Sequence, residues 1–135
     1  MTNKDWSQLN GLALAYVGDA IFEIHIREHL VKTGQTRPNQ LHRMATKFVS
    51  ARSQAKLIQG MLAEEDLLTE TEIAIYKRGR NGKSHTLPKN VDMATYRTAT
   101  GFEALMGFLH LDGQKERIET LVNWCIQFVE GSGEG

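Results

Sequence analysis

A single segment, residues 12–26, is apolar around nearly the whole circumference of the helix that it would form. A surface helix buries one stripe, whereas a helix that is apolar on all sides lies among other helices or in a membrane. The longest uncharged run, residues 6–18, is shorter than the roughly 20 residues that cross a bilayer, which excludes a membrane span. The sequence therefore predicts a central helix over residues 12–31, packed among other helices.

The other apolar residues recur at spacings of three and four, and only Pro38 and Pro88 interrupt them, so we predict an all-α domain. Residues 78–90 are predicted to form a loop, because they include two glycines and a proline and almost no apolar side chains. We expect one domain over residues 1–130 and a flexible tail over residues 131–135. The predicted helices cover residues 12–31, 38–48, 50–62, 69–77, 91–111 and 115–129.

The charge balance excludes a uniformly basic nucleic-acid coat, because 16 Lys and Arg residues match 16 Asp and Glu residues. The single cysteine, Cys125, allows no internal disulfide, and nothing near it in the sequence would activate its thiol. The first residues lack the basic and then apolar pattern of a signal peptide. These features predict a reduced, cytoplasmic protein in which charge-driven binding depends on local patches.

Positive charge is concentrated between residues 77 and 97, a stretch that we call the basic segment. Basic side chains that contact phosphates supply most of the sequence-independent affinity for nucleic acid. No aromatic side chain interrupts the segment before Tyr96, which favours contact with the backbone of a duplex over stacking on single-stranded bases. The alternative is a charged loop that is merely solvated. The basic residues are Lys77, Arg78, Arg80, Lys83, Lys89 and Arg97.

Two acids stand alone in the most apolar parts of the chain. Asp19 is the only formally charged residue between positions 6 and 22. Glu103 is the only one between positions 98 and 111. A buried carboxylate costs several kcal/mol unless it is paired or bound to a metal, so each acid needs a compensating partner. Carboxylate oxygens suit a hard cation such as Mg²⁺, whose coordination is completed by water and substrate phosphates, and phosphodiester hydrolysis is the chemistry that follows.

Both acids also have ordinary interpretations. Asp19 follows Gly18 and could cap a helix that restarts there, and Glu103 could point outward to pair with Arg97. Glu23 lies one turn beyond Asp19 on the same helix face, where it would be either an outer metal ligand or one half of a salt bridge. The sequence leaves these alternatives open.

The stretch from His25 to His29 matches the H-x-x-E-H pattern of an inverted zinc peptidase. Such a site needs a third protein ligand, placed by a much larger domain than this chain provides. The alternative is that these polar residues face solvent where the first helix leaves the core. We favour this alternative, because so short a pattern is easily met by chance.

Several short motifs follow one another along the chain. They are LNGLALAYVGDA at residues 9–20, VSARSQA at 49–55, RGRN at 78–81, KS at 83–84, PKN at 88–90, YR at 96–97 and FEAL at 102–105. Together they resemble the Mini-ribonuclease III family, and the likeness runs from about residue 8 to residue 128. Members of that family look like a ribonuclease III catalytic domain without the appended domain that binds double-stranded RNA.

The resemblance implies an all-α homodimer with the ribonuclease III fold, in which residues 1–130 form the catalytic domain. It implies Mg²⁺-dependent endonucleolytic cleavage of double-stranded RNA and maturation of the 23S ribosomal RNA precursor in bacteria. Each of two sites on the dimer would cut one strand of a duplex, and a large-subunit ribosomal protein could assist recognition. The alternative from another class is a dimer that binds double-stranded RNA without cutting it, because its nuclease site is degenerate.

The resemblance also assigns residues. The Gly-Asp of the ribonuclease III signature falls on Gly18 and Asp19, and the Glu of its second acidic motif falls on Glu103. Two further acids of the ordinary ribonuclease III cluster are replaced here by Ala15 and Thr100. We therefore expect weaker Mg²⁺ binding, with RNA phosphates or waters completing the metal's coordination.

Overall fold

The computed structural model describes residues 5–82 and 91–131. Over these ranges the chain forms a short 3₁₀ helix at Trp6–Gln8, six α-helices and no strand, so the predicted all-α class is confirmed. No helix within them has the length and hydropathy to cross a membrane. The helices are α1 (Gly11–Lys32), α2 (Pro38–Val49), α3 (Ala51–Ala63), α4 (Glu70–Arg80), α5 (Met93–Leu111) and α6 (Lys115–Glu130).

Short polar residues fix the helix ends. Ser50, Thr69 and Asp92 each precede a helix, and each side chain accepts a hydrogen bond from a backbone N–H of the first turn. Thr69 and Glu72 form a reciprocal capping box, which satisfies two backbone donors at the start of α4. Gly34 follows α1 with a φ of +105°, a conformation that glycine adopts without steric cost. These caps explain why the predicted and observed helix boundaries agree within about two residues at most ends.

The predicted loop over residues 78–90 is wrong at its start, because α4 continues through Arg80. Gly79 lies against α5, where a Cβ would meet Ala104 Cβ at 2.5 Å and Gly101 Cα at 3.0 Å. This close helix contact holds a residue of low helix propensity in the helix. Residues 83–90, which carry the rest of the predicted loop, lie outside the described ranges.

The most deeply buried helix is α5, and not α1 as the sequence pattern predicts. From Ala99 to Leu109 every residue of α5 except Glu103 is buried. One face of α1 is open in the single chain, where Tyr16 is 85% exposed and Ile24 and Val31 are each more than half exposed. An apolar pattern shows that all sides of a helix avoid water, but not whether the covering surface belongs to the same chain.

Helices α1 and α5 touch through their backbones. A Cβ on Gly18 would lie 1.7 Å from the carbonyl oxygen of Glu103, and one on Gly107 would lie 1.9 Å from that of Leu14. Heavy atoms of a real side chain do not approach a backbone so closely, so each helix requires a glycine where it crosses the other. Because Asp19 follows Gly18, this crossing places Asp19 beside Glu103.

A buried ion pair joins α4 to α6. Glu72 is 3% exposed and receives hydrogen bonds of 2.7 and 2.8 Å from Arg117, which also donates to the carbonyl oxygen of Leu67. Burial raises the pKa of Glu72, but the hydrogen bonds from Arg117 and Thr69 outweigh burial and leave that pKa below its usual value. The carboxylate is therefore charged in the folded protein and depends on its partner.

Replacing Arg117 with Ala should lower the free energy of unfolding by about 2 kcal/mol, because the buried Glu72 loses the cation that compensates it. The matched control is Arg27→Ala, which removes an i,i+4 pair with Glu23 in which Arg27 is 70% exposed. That change should cost less than about 0.5 kcal/mol. Urea denaturation compares the two variants, and equal losses would contradict the assignment of the Arg117 pair to the core.

Candidate active site

Asp19 and Glu103 form a pair of carboxylates where α1 crosses α5. Asp19 is exposed and Glu103 is partly buried beside it. The pKa of Glu103 rises from 4.5 to about 8, first because the group is buried, then because Asp19 hydrogen-bonds to it and repels its charge. The charge of Glu23 raises this pKa further, whereas the nearby side-chain amide of Gln54 lowers it. We call Asp19 and Glu103 the acid pair.

The ordinary interpretations of these two residues do not hold. Helix α1 runs without a break from Gly11 to Lys32, so Asp19 does not cap a restarted helix. Within residues 5–82 and 91–131, Glu103 forms no ion pair with Arg97 or any other base. The expectation that both acids are buried is correct only in part, because Asp19 faces solvent and leaves one side of the pair open.

Glu23 and His29, two polar residues near the acid pair on α1, each contact another polar side chain. Glu23 accepts from Arg27 at 2.6 Å, as the salt-bridge alternative predicts, although its charge still acts on Glu103. His29 lies 2.9 Å from Glu130 on α6. No cluster of three metal-ligating side chains occurs in the part of the chain that the structure describes, so the zinc-peptidase pattern that includes His25 has no support there.

The two positions where ordinary ribonuclease III carries further acids are packed into the protein. Ala15 and Thr100 are each 6% exposed. The Thr100 hydroxyl donates to the carbonyl oxygen of Tyr96 at 2.9 Å, which completes its hydrogen bonding within α5. The metal ligands that remain at the site are two adjacent carboxylates with one side open to solvent. This pair fits Mg²⁺, a hard cation that prefers oxygen ligands and keeps several of its waters.

Gln54 on α3 belongs to this neighbourhood, and no motif in the sequence singles it out. Its side chain is 1% exposed, and its Nε2 atom has no hydrogen-bond partner among the described residues. An unsatisfied buried amide costs about 1–3 kcal/mol. The available signal is positional: Gln54 occupies the first place of an apolar i, i+3, i+4, i+7 series completed by Leu57, Ile58 and Met61.

Part of the basic segment is well defined. Lys77, Arg78 and Arg80 occupy the last turn of α4 and Arg97 lies on α5, whereas Lys83 and Lys89 lie outside the described residues. The end of α4 packs against the start of α1, since a Cβ on Gly11 would meet the carbonyl oxygen of Arg78 at 2.6 Å. Asp19 is eight residues further along α1, about 12 Å at the rise of an α-helix. The basic end of α4 therefore contacts the helix that carries Asp19, about two turns before Asp19.

Arg78 and Arg80 lie in the last turn of α4 and have side-chain contacts, although the sequence predicts that they belong to a loop. Arg78 donates to the carbonyl oxygen of Leu9 at 3.4 Å. The guanidinium of Arg80 lies 5.5 Å from the centre of the Tyr76 ring. These contacts are long and leave donors available on both side chains, so they orient the arginines without saturating them.

Residues 12–114 match the Ribonuclease III domain family. The chain belongs to this family, and it is an endoribonuclease. The match spans both members of the acid pair and the helix crossing that joins them.

Within the Ribonuclease III domain family, the chain is similar over nearly its full length to proteins named Mini-ribonuclease 3. It is 66% identical to Mini-ribonuclease 3 of Enterococcus faecalis, with 97% of this chain and 98% of that protein covered. It is 58% identical to Mini-ribonuclease 3 of Streptococcus pneumoniae, over 94% of this chain and 98% of the relative. A crystal structure of a Fusobacterium nucleatum protein is similar at a TM-score of 0.79 and 31% identity, covering 93% of this chain and 98% of that one.

The raised pKa of Glu103 predicts a pH-dependent stability in the absence of metal. Between its usual pKa of 4.5 and its folded pKa of about 8, the folded protein binds a proton that the unfolded chain has released. The contribution of this group to stability therefore falls as pH rises through that window, by at most about 1.4 kcal/mol per pH unit. Urea titrations from pH 5.5 to 8 should show the decline in wild type and a flatter profile in Glu103→Gln. Parallel profiles would contradict the prediction.

Proposed function

We propose that this endoribonuclease cuts double-stranded RNA with Mg²⁺ held by Asp19 and Glu103. The observation that carries the proposal is the acid pair itself. Burial raises the pKa of Glu103, and the hydrogen bond and charge of Asp19 raise it further, to about 8. A divalent cation between the two carboxylates would remove their repulsion. Bound there, the metal would supply Lewis-acid activation of water and stabilisation of charge at the phosphodiester.

The chain's own residues would have separate tasks in this reaction. Asp19, on the exposed side of the pair, binds the metal where RNA can approach. Glu103 would bind it from the partly buried side of the pair. The glycines at the crossing of α1 and α5 fix the spacing of the two acids. Because Ala15 and Thr100 add no carboxylate, RNA phosphates and water would complete the coordination of the metal.

The basic segment would hold the duplex backbone next to the acid pair. Lys77, Arg78 and Arg80 lie at the end of α4, which packs against the start of α1, the helix that carries Asp19. Because these contacts are to phosphates, RNA binding should depend strongly on salt.

A homodimer would present two such sites, one for each strand. The exposed apolar face of α1, with Tyr16, Ile24 and Val31, supports an interface between two copies because apolar surface of this kind is normally covered. Sedimentation at micromolar concentration tests this part of the proposal. A monomer with full activity would contradict it.

The cellular substrate that we propose is the 23S ribosomal RNA precursor in the cytoplasm, with a large-subunit ribosomal protein assisting recognition. The support is the resemblance to the Mini-ribonuclease III family and the absence of disulfide-forming cysteine pairs from the sequence. The competing function is a dimer that binds double-stranded RNA without cutting it, which the replacement of two acids by Ala15 and Thr100 favours.

A cleavage assay separates the two functions. End-labelled duplex RNA and its separated strands are incubated with the protein in Mg²⁺ and in EDTA. We expect cleavage of the duplex in Mg²⁺ and none in EDTA, with the single strands cut much more slowly. Binding in both conditions without cleavage would favour the non-catalytic dimer.

Replacing Arg78, Arg80 and Lys83 together with Ala should weaken binding to every duplex sequence about equally. Each lost phosphate contact should reduce the slope of log K against log salt by about 0.9. Fluorescence anisotropy with several unrelated duplexes, in Ca²⁺ to prevent cleavage, measures both effects across a salt series. The control replaces three exposed bases on other elements, Lys32, Arg43 and Lys115. An unchanged slope, or a loss confined to one sequence, would contradict the assignment.

A further inference from the structure

Gln54 is a buried polar residue for which the fold alone gives no reason. It lies on the face of α3 that packs against α5, next to the buried Leu57 and Ile58. Its side chain is 1% exposed, and its Nε2 atom is the one buried side-chain nitrogen or oxygen in the described ranges without a hydrogen-bond partner. A leucine or methionine at this position would fill similar space without an unsatisfied donor.

The amide of Gln54 lies near the acid pair, because α3 packs against α5 and Gln54 acts on Glu103. Among the side chains that shift the pKa of Glu103, Gln54 is the one that lowers it and so favours the charged carboxylate. An amide N–H is a neutral donor, so it orients a carboxylate without cancelling the negative charge that attracts a metal. A lysine or arginine in the same place would compete with the metal for Glu103.

We propose that Gln54 is a positioning residue for the metal site: its Nε2 donates to Glu103 and fixes which carboxylate oxygen faces the position beside Asp19. The inference rests on the proposed function of the acid pair. Partners of this kind, which hold a metal ligand from behind, commonly change metal affinity 10- to 100-fold when they are removed. The effect matters more here because Ala15 and Thr100 leave the metal with two protein carboxylates.

The test replaces Gln54 with Met, which keeps the length of the side chain and removes the donor. Mn²⁺ binding to the RNA-free protein is measured by electron paramagnetic resonance, and the Mg²⁺ concentration for half-maximal cleavage is measured with duplex RNA. We expect both metal constants to weaken about 10- to 100-fold. RNA affinity in Ca²⁺ should stay unchanged, and the urea midpoint should stay equal or rise because a buried unsatisfied donor is gone.

The matched control is Gln59→Met, the same change at an exposed position of α3. It should leave all four quantities unchanged. If Gln54→Met binds Mn²⁺ and responds to Mg²⁺ as wild type does, Gln54 is a core residue only and the inference is wrong. Asp19→Asn separates this failure from a failure of the proposed function: if that variant also binds Mn²⁺ as wild type does, the acid pair is not the metal site.

Wild-type protein provides a second measurement in case the Gln54 variants do not fold. In ¹H–¹⁵N spectra of the RNA-free protein, the side-chain NH₂ signals of Gln54 should shift when Mg²⁺ is added, while those of Gln59 stay in place. The shift should disappear in Asp19→Asn. Gln54 signals that do not respond to Mg²⁺ in a protein whose Glu103 signals do respond would overturn the inference.

Discussion

Asp19→Asn should lose about 1,000-fold in the rate of duplex cleavage at saturating Mg²⁺, because a catalytic metal supplies several kcal/mol of transition-state stabilisation. The substitution keeps the size of the side chain and removes one metal ligand. It also removes the charge that repels Glu103, so the metal-free variant should be at least as stable as wild type. Single-turnover cleavage of a labelled duplex measures the rate, and urea denaturation measures the stability.

The matched control is Glu28→Gln, which neutralises another exposed acid of α1. It should cut duplex RNA at the wild-type rate. Glu103→Gln should behave as Asp19→Asn does, since either change leaves a single carboxylate at the site. Cleavage by Asp19→Asn at the parental rate in Mg²⁺ would show that the metal is bound elsewhere or is not needed.

Gly18→Ala should lower the free energy of unfolding by more than about 3 kcal/mol, the upper end of the cost of overpacking a core. The added Cβ would lie 1.7 Å from the Glu103 carbonyl oxygen, so the backbones of α1 and α5 must separate. This separation also pulls Asp19 away from Glu103. Variant molecules that still fold should therefore cut RNA poorly even at high Mg²⁺, and chemical denaturation with an activity assay measures both losses.

Gly60→Ala is the control, because it makes the same change inside a helix against a different neighbour. Its Cβ would meet the ends of the Phe128 and Trp124 side chains at 2.8 and 2.9 Å, and these rings can move. The higher helix propensity of Ala, about 1 kcal/mol, offsets part of the cost. A Gly18→Ala variant no less stable than Gly60→Ala would contradict the close crossing of α1 and α5.

The helices could be predicted from the sequence because their signals are local. Apolar spacing gives each helix, and caps such as Ser50 and Thr69 give the ends. The predictions fail where contacts between helices that are distant in the sequence determine the structure. Helix α4 continues beyond Gly79 because that glycine packs against α5. The residues around Gly79 do not reveal this contact, because α5 is distant in the sequence. Periodicity alone assigns the open face of α1 to the core, because its residues are apolar. In the single chain this face is nevertheless exposed.

The acid pair could be predicted because a lone carboxylate in an apolar helix requires a partner, and the motif around Gly18 and Asp19 strengthened the prediction. The sequence could not show that backbone contact at Gly18 and Gly107 sets the distance between the acids. Nor could it distinguish Gln54 from other polar residues of α3, since its significance comes from a carboxylate on another helix.

Diffraction from crystals grown with Mn²⁺ tests most directly the claim that Asp19 and Glu103 together hold the metal. Anomalous scattering locates Mn²⁺ without reference to any assumed site. We predict a strong anomalous peak between the Asp19 and Glu103 carboxylates in wild type, and no peak at that position in Asp19→Asn. A peak confined to other side chains, or one that persists unchanged in Asp19→Asn, would contradict the account.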